Sequence, residues 1–404
     1  MTIYPLNIRS EQELRAAIVR VGADERSEVY FQPKRRKRHF FISQVDFRAA
    51  AYMKQELLAR GGDAVVSRHV IDGSADHSDA LLIGTDGQLE ALSCKMGAMN
   101  CWGLEELRNE LRAVLLNTKA ASWTLSLPRG RKLVLDSRTK VMGILNLTED
   151  SFHAQSRVKN LDDLLTRAAS LLQDGAHVLD LGAESTRPGS SPLPESDELT
   201  RLIPALKALR ESFPNAILSV DTYKGKVALA AAEAGADIIN DVGGFGLDPH
   251  MLSCAAETGL PYVLSHIKGT PADMRNVPPY EDLLGVLNVY FREKIEEAER
   301  AGLPRKRLIL DPGLGFGKKM EDNLLILREV ESLSVFGLPT LVGYSRKRFT
   351  GTVTGAADAD TDDRLTGTVA LSALLEGRVQ MTRVHDVKEN LRALLMARAV
   401  REPL

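Results

Sequence analysis

From Val141 to the C-terminus the chain alternates between short apolar runs and amphipathic stretches, and this alternation constrains the fold more than any other feature. The apolar runs are VMGIL (141–145), HVLDL (177–181), AILSVD (216–221), DIIND (237–241), PYVLSH (261–266), RLILD (307–311), PTLVG (339–343) and MTRVH (381–385). Between them lie helical patterns such as LDDLLTRAASLLQD (161–174) and YEDLLGVLNVYFREKIEEAERAG (280–302). Short continuous apolar runs, each followed by a helix, belong to a parallel sheet buried on both faces. Eight such units in about 260 residues match the count and size of a closed (β/α)8 TIM barrel. An open doubly wound sheet is the alternative, and it loses weight because no GxGxxG follows the first strand.

A chain of 404 residues exceeds one average domain. The composition shifts near residue 130, and we expect a smaller α+β domain over 1–125 and the barrel over 126–404. In the first region, 46–60 reads as a helix stopped by Gly61-Gly62, ALLIGT (80–85) as a strand, and 102–115 as an amphipathic helix. The run KRRKR (34–38) is either an anion or nucleic-acid patch or, favoured by the near-neutral total charge, a solvated loop or edge strand. No polar constellation stands out there, so this region is expected to carry no catalytic group.

The formal net charge of -2 gives no global field for nucleic acid or membrane. No apolar run approaches a membrane span, and the N-terminal stretch lacks a signal-like apolar core, so a cytoplasmic location is expected. Cys94, Cys101 and Cys254 are odd in number and not at metal spacing, which reads as reduced thiols rather than a zinc site.

In a (β/α)8 barrel the C-terminal ends of the strands converge on one mouth. Here every one of them carries polar residues: Asn146, Asp180, Asp221, Asn240-Asp241, His266, Asp311, the Ser345-Arg346-Lys347 run, and Arg383 with His385. The loop after strand 2 adds Glu184, Thr186 and Arg187. A lone Asp at a strand end is usually a cap or turn residue. Eight polar strand ends together exceed what capping requires. Asp221, Asn240 and Asp311 suit the donor-rich edge of a 2-amino-4-oxo heterocycle. Arg187, Arg383 and His385 suit a phosphate or pyrophosphate. Asn146 offers a neutral oxygen to Mg2+, while Ser345 and Lys347 suit either the heterocycle or a second substrate.

At these residues the chain resembles the dihydropteroate synthase family. VMGILNLTEDSF, DLGAESTRPGS, SVDTYK, IINDV, SHIKGTPADM, LDPGLGFGKK, VGYSRKRF and RVHDV each resemble a family signature, in the family's order, over roughly residues 140–395. The resemblance implies that Asn146 meets the metal and the pyrophosphate. Thr186 and Arg187 would meet phosphate and help form the p-aminobenzoate site. Asp180, Asp221, Asn240, Asp311 and Lys347 would form the pterin pocket, with Arg383 and His385 as an anion-binding pair. Phe316 resembles the aromatic residue after the strand-6 motif. The implied substrates are 6-hydroxymethyl-7,8-dihydropterin pyrophosphate and p-aminobenzoate, the implied cofactor Mg2+, and the implied assembly a homodimer. A pterin-dependent methyltransferase or a non-catalytic pterin-binding protein are the rivals, and the STRPG loop and the RVH end of strand 8 speak against the first.

The chain departs from the family pattern in places. Glu149 replaces a proline, HAQSR (153–157) replaces a glycine-rich tail, Ala183 replaces a glycine, and Ile267 replaces a methionine. Arg348 stands where a serine commonly helps hold the p-aminobenzoate carboxylate. It either reaches that carboxylate or, as alternation along an extended segment favours, points outward.

Overall fold

The computed structural model describes residues 11–147, 157–184, 192–355 and 364–401, with isolated positions before residue 11. The chain divides into two compact units, one up to Lys119 and a second from Ala120.

The first unit is built on a three-stranded antiparallel sheet of β1 (Lys37–Asp46), β2 (Asp63–Val66) and β3 (His77–Thr85), with β3 central. In β3 buried and accessible residues alternate, so Ala80 and Leu82 go to the core. The helix Phe47–Leu58 starts where Asp46 accepts from the Arg48 amide. It ends where Gly61, at φ 76°, lets the Gly62 amide reach back to the Leu57 carbonyl. Its apolar face, Ala49, Ala50, Met53 and Leu57, packs with Leu82, Leu89, Leu92, Leu104 and Leu111 in a core of its own. The expected second helix is Leu104–Asn117. The KRRKR run passes through a turn into edge strand β1, where Arg38 is paired with Asp86.

The second unit opens with a hairpin, β4 (Trp123–Ser126) and β5 (Lys132–Leu135). The expected boundary at 125/126 therefore falls inside β4. The barrel follows: β6 (Lys140–Asn146), β7 (Val178–Gly182), β8 (Leu218–Asp221), β9 (Ile238–Asp241), β10 (Tyr262–Ser265), β11 (Leu308–Asp311), β12 (Leu341–Val342) and β13 (Met381–Val384). All eight are parallel, β13 lies against β6, and a parallel bridge between Leu310 and Thr340 closes the ring. The outer side chains of the strands and the inner faces of the helices form one continuous apolar layer.

The two ends of the barrel are chemically opposite. Leu125, Leu127, Leu133 and Leu135 of the hairpin cluster with Met142, Val178, Ile238, Val263, Ile309, Leu341 and Met381. Those barrel residues lie in the N-terminal parts of their strands, so the hairpin plugs that end. The other end collects the polar strand termini. Among the described residues no helix is long and apolar enough to cross a membrane.

Candidate active site

Arg383, the third residue of β13, organises the mouth. Its Nε donates to Asp180 Oδ2 at 2.5 Å, and its Nη2 donates to Asp221 Oδ2 at 2.6 Å. Asn240 Nδ2 donates to the same Asp180 oxygen at 3.0 Å. Four residues from β7, β8, β9 and β13 thus form one hydrogen-bonded group. Asp180 is fully buried, and its other oxygen, Oδ1, has no hydrogen-bond partner among the described residues. Buried acceptors are rarely left this way, and this oxygen is an acceptor with a bond still to make. Burial pushes Asp221 above the usual carboxylate range, and the Arg383 charge pulls it back.

Asn146 ends β6 beside this group. A Cβ on Gly182 would lie 3.6 Å from both Asn146 Oδ1 and Asp221 Oδ2. The glycine keeps the space between those two oxygens clear.

A second arm of the site comes from the loops after β11 and β12. Asp311 Oδ1 accepts from the Gly313 amide at 2.8 Å, and burial raises its affinity for a proton while Lys347 opposes that. Lys347 donates to the Leu314 carbonyl, and its Nζ lies 4.6 Å from the centre of the Phe316 ring. The PGLGFGKK motif has a steric basis. Gly313 sits at φ 68°, where a Cβ would come within 1.9 Å of the His266 carbonyl. Gly315, at φ 79°, leaves room for the Lys347 stem, 3.3 Å from where its Cβ would be.

His385 and Ser345 form the third element. Ser345 Oγ accepts from the His385 amide at 3.2 Å and lies 3.0 Å from His385 Nδ1. The hydroxyl can donate to Nδ1 or accept from it, so the contact fixes the ring's orientation in either tautomer. Arg346, at φ 55°, turns from this pair and forms a two-pronged ion pair with Asp386. Arg348 is exposed and begins the helix Arg348–Val353.

The structure thus brings together Asn146, Asp180, Asp221, Asn240, Asp311, Phe316, Ser345, Lys347, Arg383 and His385. Thr186 and Arg187 lie outside the described residues, as do Glu149 and positions 153–156. Asp241 turns inward instead, accepting from the Gly243 and Phe245 amides and the Tyr262 hydroxyl. Sequence reasoning missed three partnerships. Arg383 read as an anion ligand, and its seat between two carboxylates was not foreseen. Lys224 was quoted in SVDTYK without a role, yet it bridges Glu184 and the buried Glu198. Lys318 of PGLGFGKK contacts His266. For Arg383 the available signal was its charge, opposite to the strand-end carboxylates Asp180 and Asp221.

The pterin binding enzyme family matches residues 142–385. A dihydropteroate synthase of Escherichia coli is 40% identical over 265 residues, 65% of this chain and 92% of that protein. A Halobacterium salinarum protein, described as a probable bifunctional folylpolyglutamate synthase/dihydropteroate synthase, is 39% identical over 360 residues. That alignment takes in 89% of this chain, reaching into the first unit, and the chain spans only 42% of that relative. The crystal structure of a Xanthomonas albilineans dihydropteroate synthase with 4-aminobenzoic acid superposes with TM-score 0.64 at 38% identity, covering 70% of this chain and all of the other. By its fold, its strand-end residues and these relatives, the chain belongs to the dihydropteroate synthase family of pterin-binding enzymes.

Proposed function

We propose that the chain condenses 6-hydroxymethyl-7,8-dihydropterin pyrophosphate with p-aminobenzoate to give 7,8-dihydropteroate and pyrophosphate. The observation that carries this reading is the mouth itself. Asp180, with an unpartnered carboxylate oxygen, is bonded with Asp221 and Asn240 through Arg383, and Asp311 and Lys347 lie close enough to that group to feel its charge. The acceptors match the N–H edge of a pterin, and the cations match the anionic ends of both substrates.

In the reaction the aniline nitrogen forms a bond to the pterin CH2 carbon as the C–O bond to pyrophosphate breaks. Arg383, His385 and Arg187 would take up the charge of the leaving pyrophosphate. Asp221 and Asp311 would stabilise the ring as it becomes electron-poor. Phe316 and Lys347 would hold the p-aminobenzoate side, with Ser345 orienting His385. The aniline is neutral and nucleophilic, so its surplus proton can leave to water and no general base is assigned. Binding both substrates in one mouth supplies most of the advantage by orientation.

Mg2+ fits this donor set. No group of three His, Cys, Asp or Glu side chains suited to a metal exists among the described residues. Asn146 Oδ1 and the neighbouring Asp221 would be the protein's oxygen donors toward it. When bound, Mg2+ would neutralise the leaving group. The same reading includes a cytoplasmic homodimer, and a first unit that supplies no catalytic group. Its test is pyrophosphate release with both substrates, with and without Mg2+. Release that needs both substrates is expected, and none in their presence refutes the reading.

A further inference from the structure

Lys318 lies beneath the site, between the exit of β10 and the loop that follows β11. Its Nζ is 2.8 Å from His266 Nδ1, 3.2 Å from the His266 carbonyl and 3.2 Å from the Phe316 carbonyl. His266 is itself buried and braced on its other side, where Tyr290 meets its ring edge-on at 4.7 Å and donates to the Ser265 carbonyl at 2.8 Å. One end of the Lys318 link is thus anchored in the barrel wall. The other end is the loop carrying Phe316.

We propose that Lys318 is a positioning residue for the second-substrate side of the mouth, holding the Phe316 loop against His266 so that Phe316 and Lys347 keep their mutual geometry. The inference rests on the reading given under Proposed function, in which those two residues face p-aminobenzoate.

Asn323 ties the loop on either side of Phe316, accepting from the Gly315 amide at 2.6 Å and donating to the Lys318 carbonyl at 3.3 Å, while at Phe316 itself the link to the barrel wall is Lys318. The Phe316 amide makes a 3.2 Å bond to the Gly313 carbonyl, which is internal to the loop. Its carbonyl is held by Lys318. Lys347 depends on the same loop, because it donates to the Leu314 carbonyl and stands over the Phe316 ring. Asp180, Asp221 and Asn240 lie on β7, β8 and β9 and bond to one another and to Arg383, so they are independent of Lys318.

The link holds in either protonation state. Burial pulls Lys318 down to about 7 and His266 down to about 3. An ammonium donates to all three acceptors, whereas a neutral amine donates to the two carbonyls and accepts from an Nδ1–H.

The test uses the full chain and steady-state kinetics. Lys318→Met keeps the stem and removes the donors. The KM for p-aminobenzoate is expected to rise at least about tenfold, while the KM for the pterin pyrophosphate and the kcat at saturation stay within about threefold. Adding Phe316→Leu to Lys318→Met should raise the p-aminobenzoate KM no further than Phe316→Leu alone, because both act through one wall. If Lys318→Met does not fold, Lys318→Leu, which also removes the donors, is measured against the same criteria. An unchanged p-aminobenzoate KM, an equal rise in both KM values, or multiplied effects in the double variant overturn the proposal. Wild-type chain that releases no pyrophosphate refutes the parent reading instead.

Discussion

Arg383 and Asp221 meet across the barrel mouth through a 2.6 Å hydrogen bond between residues 162 apart in sequence. Arg383 also holds the fully buried Asp180. Removing the guanidinium leaves two carboxylates facing each other, and breaking such a pair costs on the order of 3 kcal/mol. Arg383→Met should lower the melting temperature by several degrees and largely abolish turnover. The double variant Asp221→Asn/Arg383→Met should recover part of the lost stability, since it removes one of the two charges. Calorimetric melts of the wild type, both single variants and the double variant decide it: strictly additive losses would show that the pair is not coupled.

Lys347 sets a pH dependence with opposite signs for binding and stability. Burial pulls it from 10.5 down to about 8, with Asp311 opposing. Binding that uses the ammonium should weaken about tenfold for each pH unit above 8. Stability runs the other way. Between about 8 and 10.5 the unfolded chain holds the lysine proton and the folded chain has lost it. The lysine's destabilising contribution is thus full below 8 and is relieved as pH rises through that window. Titration calorimetry with p-aminobenzoate and urea unfolding, both across pH 7 to 10, check the two signs; in Lys347→Met both slopes should flatten.

At the plugged end of the barrel, Asp237 is fully buried and takes Arg129 at 2.9 Å, Arg210 at 2.6 Å and Arg131. It also accepts from the Leu218 amide at 2.9 Å. Two of these arginines belong to the hairpin segment, so Asp237 ties the plug to β8 and β9. Asp237→Asn strands three cations around a neutral amide and should cost about 3–5 kcal/mol in urea unfolding. The variant molecules that remain folded should keep the wild-type KM for both substrates, because the site is at the opposite end. A selective KM change would show that the plug shapes the mouth.

A chain truncated to begin at Ala120 keeps the hairpin and should fold and condense both substrates. One beginning at Leu127 loses β4 and with it Leu125, exposing the apolar bottom of the barrel, and should melt at least several degrees lower. If the Ala120 chain folds yet releases no pyrophosphate while the full chain does, the first unit contributes to the reaction.

The eight strands were legible in the sequence because each is a local apolar run, and burial on both faces writes itself into consecutive residues. The polar strand ends were legible for a related reason: in a parallel barrel every strand terminates at the same mouth, so chain order alone gathers Asn146, Asp180, Asp221, Asn240, Asp311, Arg383 and His385. Arg348 is exposed, as the first residue of the helix Arg348–Val353 rather than by alternation along an extended segment. What the tertiary structure decided is which polar groups meet. Arg383 is 203 residues from Asp180, Lys318 is 52 from His266, and Arg129 is 108 from Asp237. Nothing periodic connects such positions, since the partner of a charge depends on strand register and loop path, which chain closure sets. The division between the units shows the same limit. Composition marked a change near residue 130, but β4 belongs with the barrel because its Leu125 buries against strand starts that lie far along the chain.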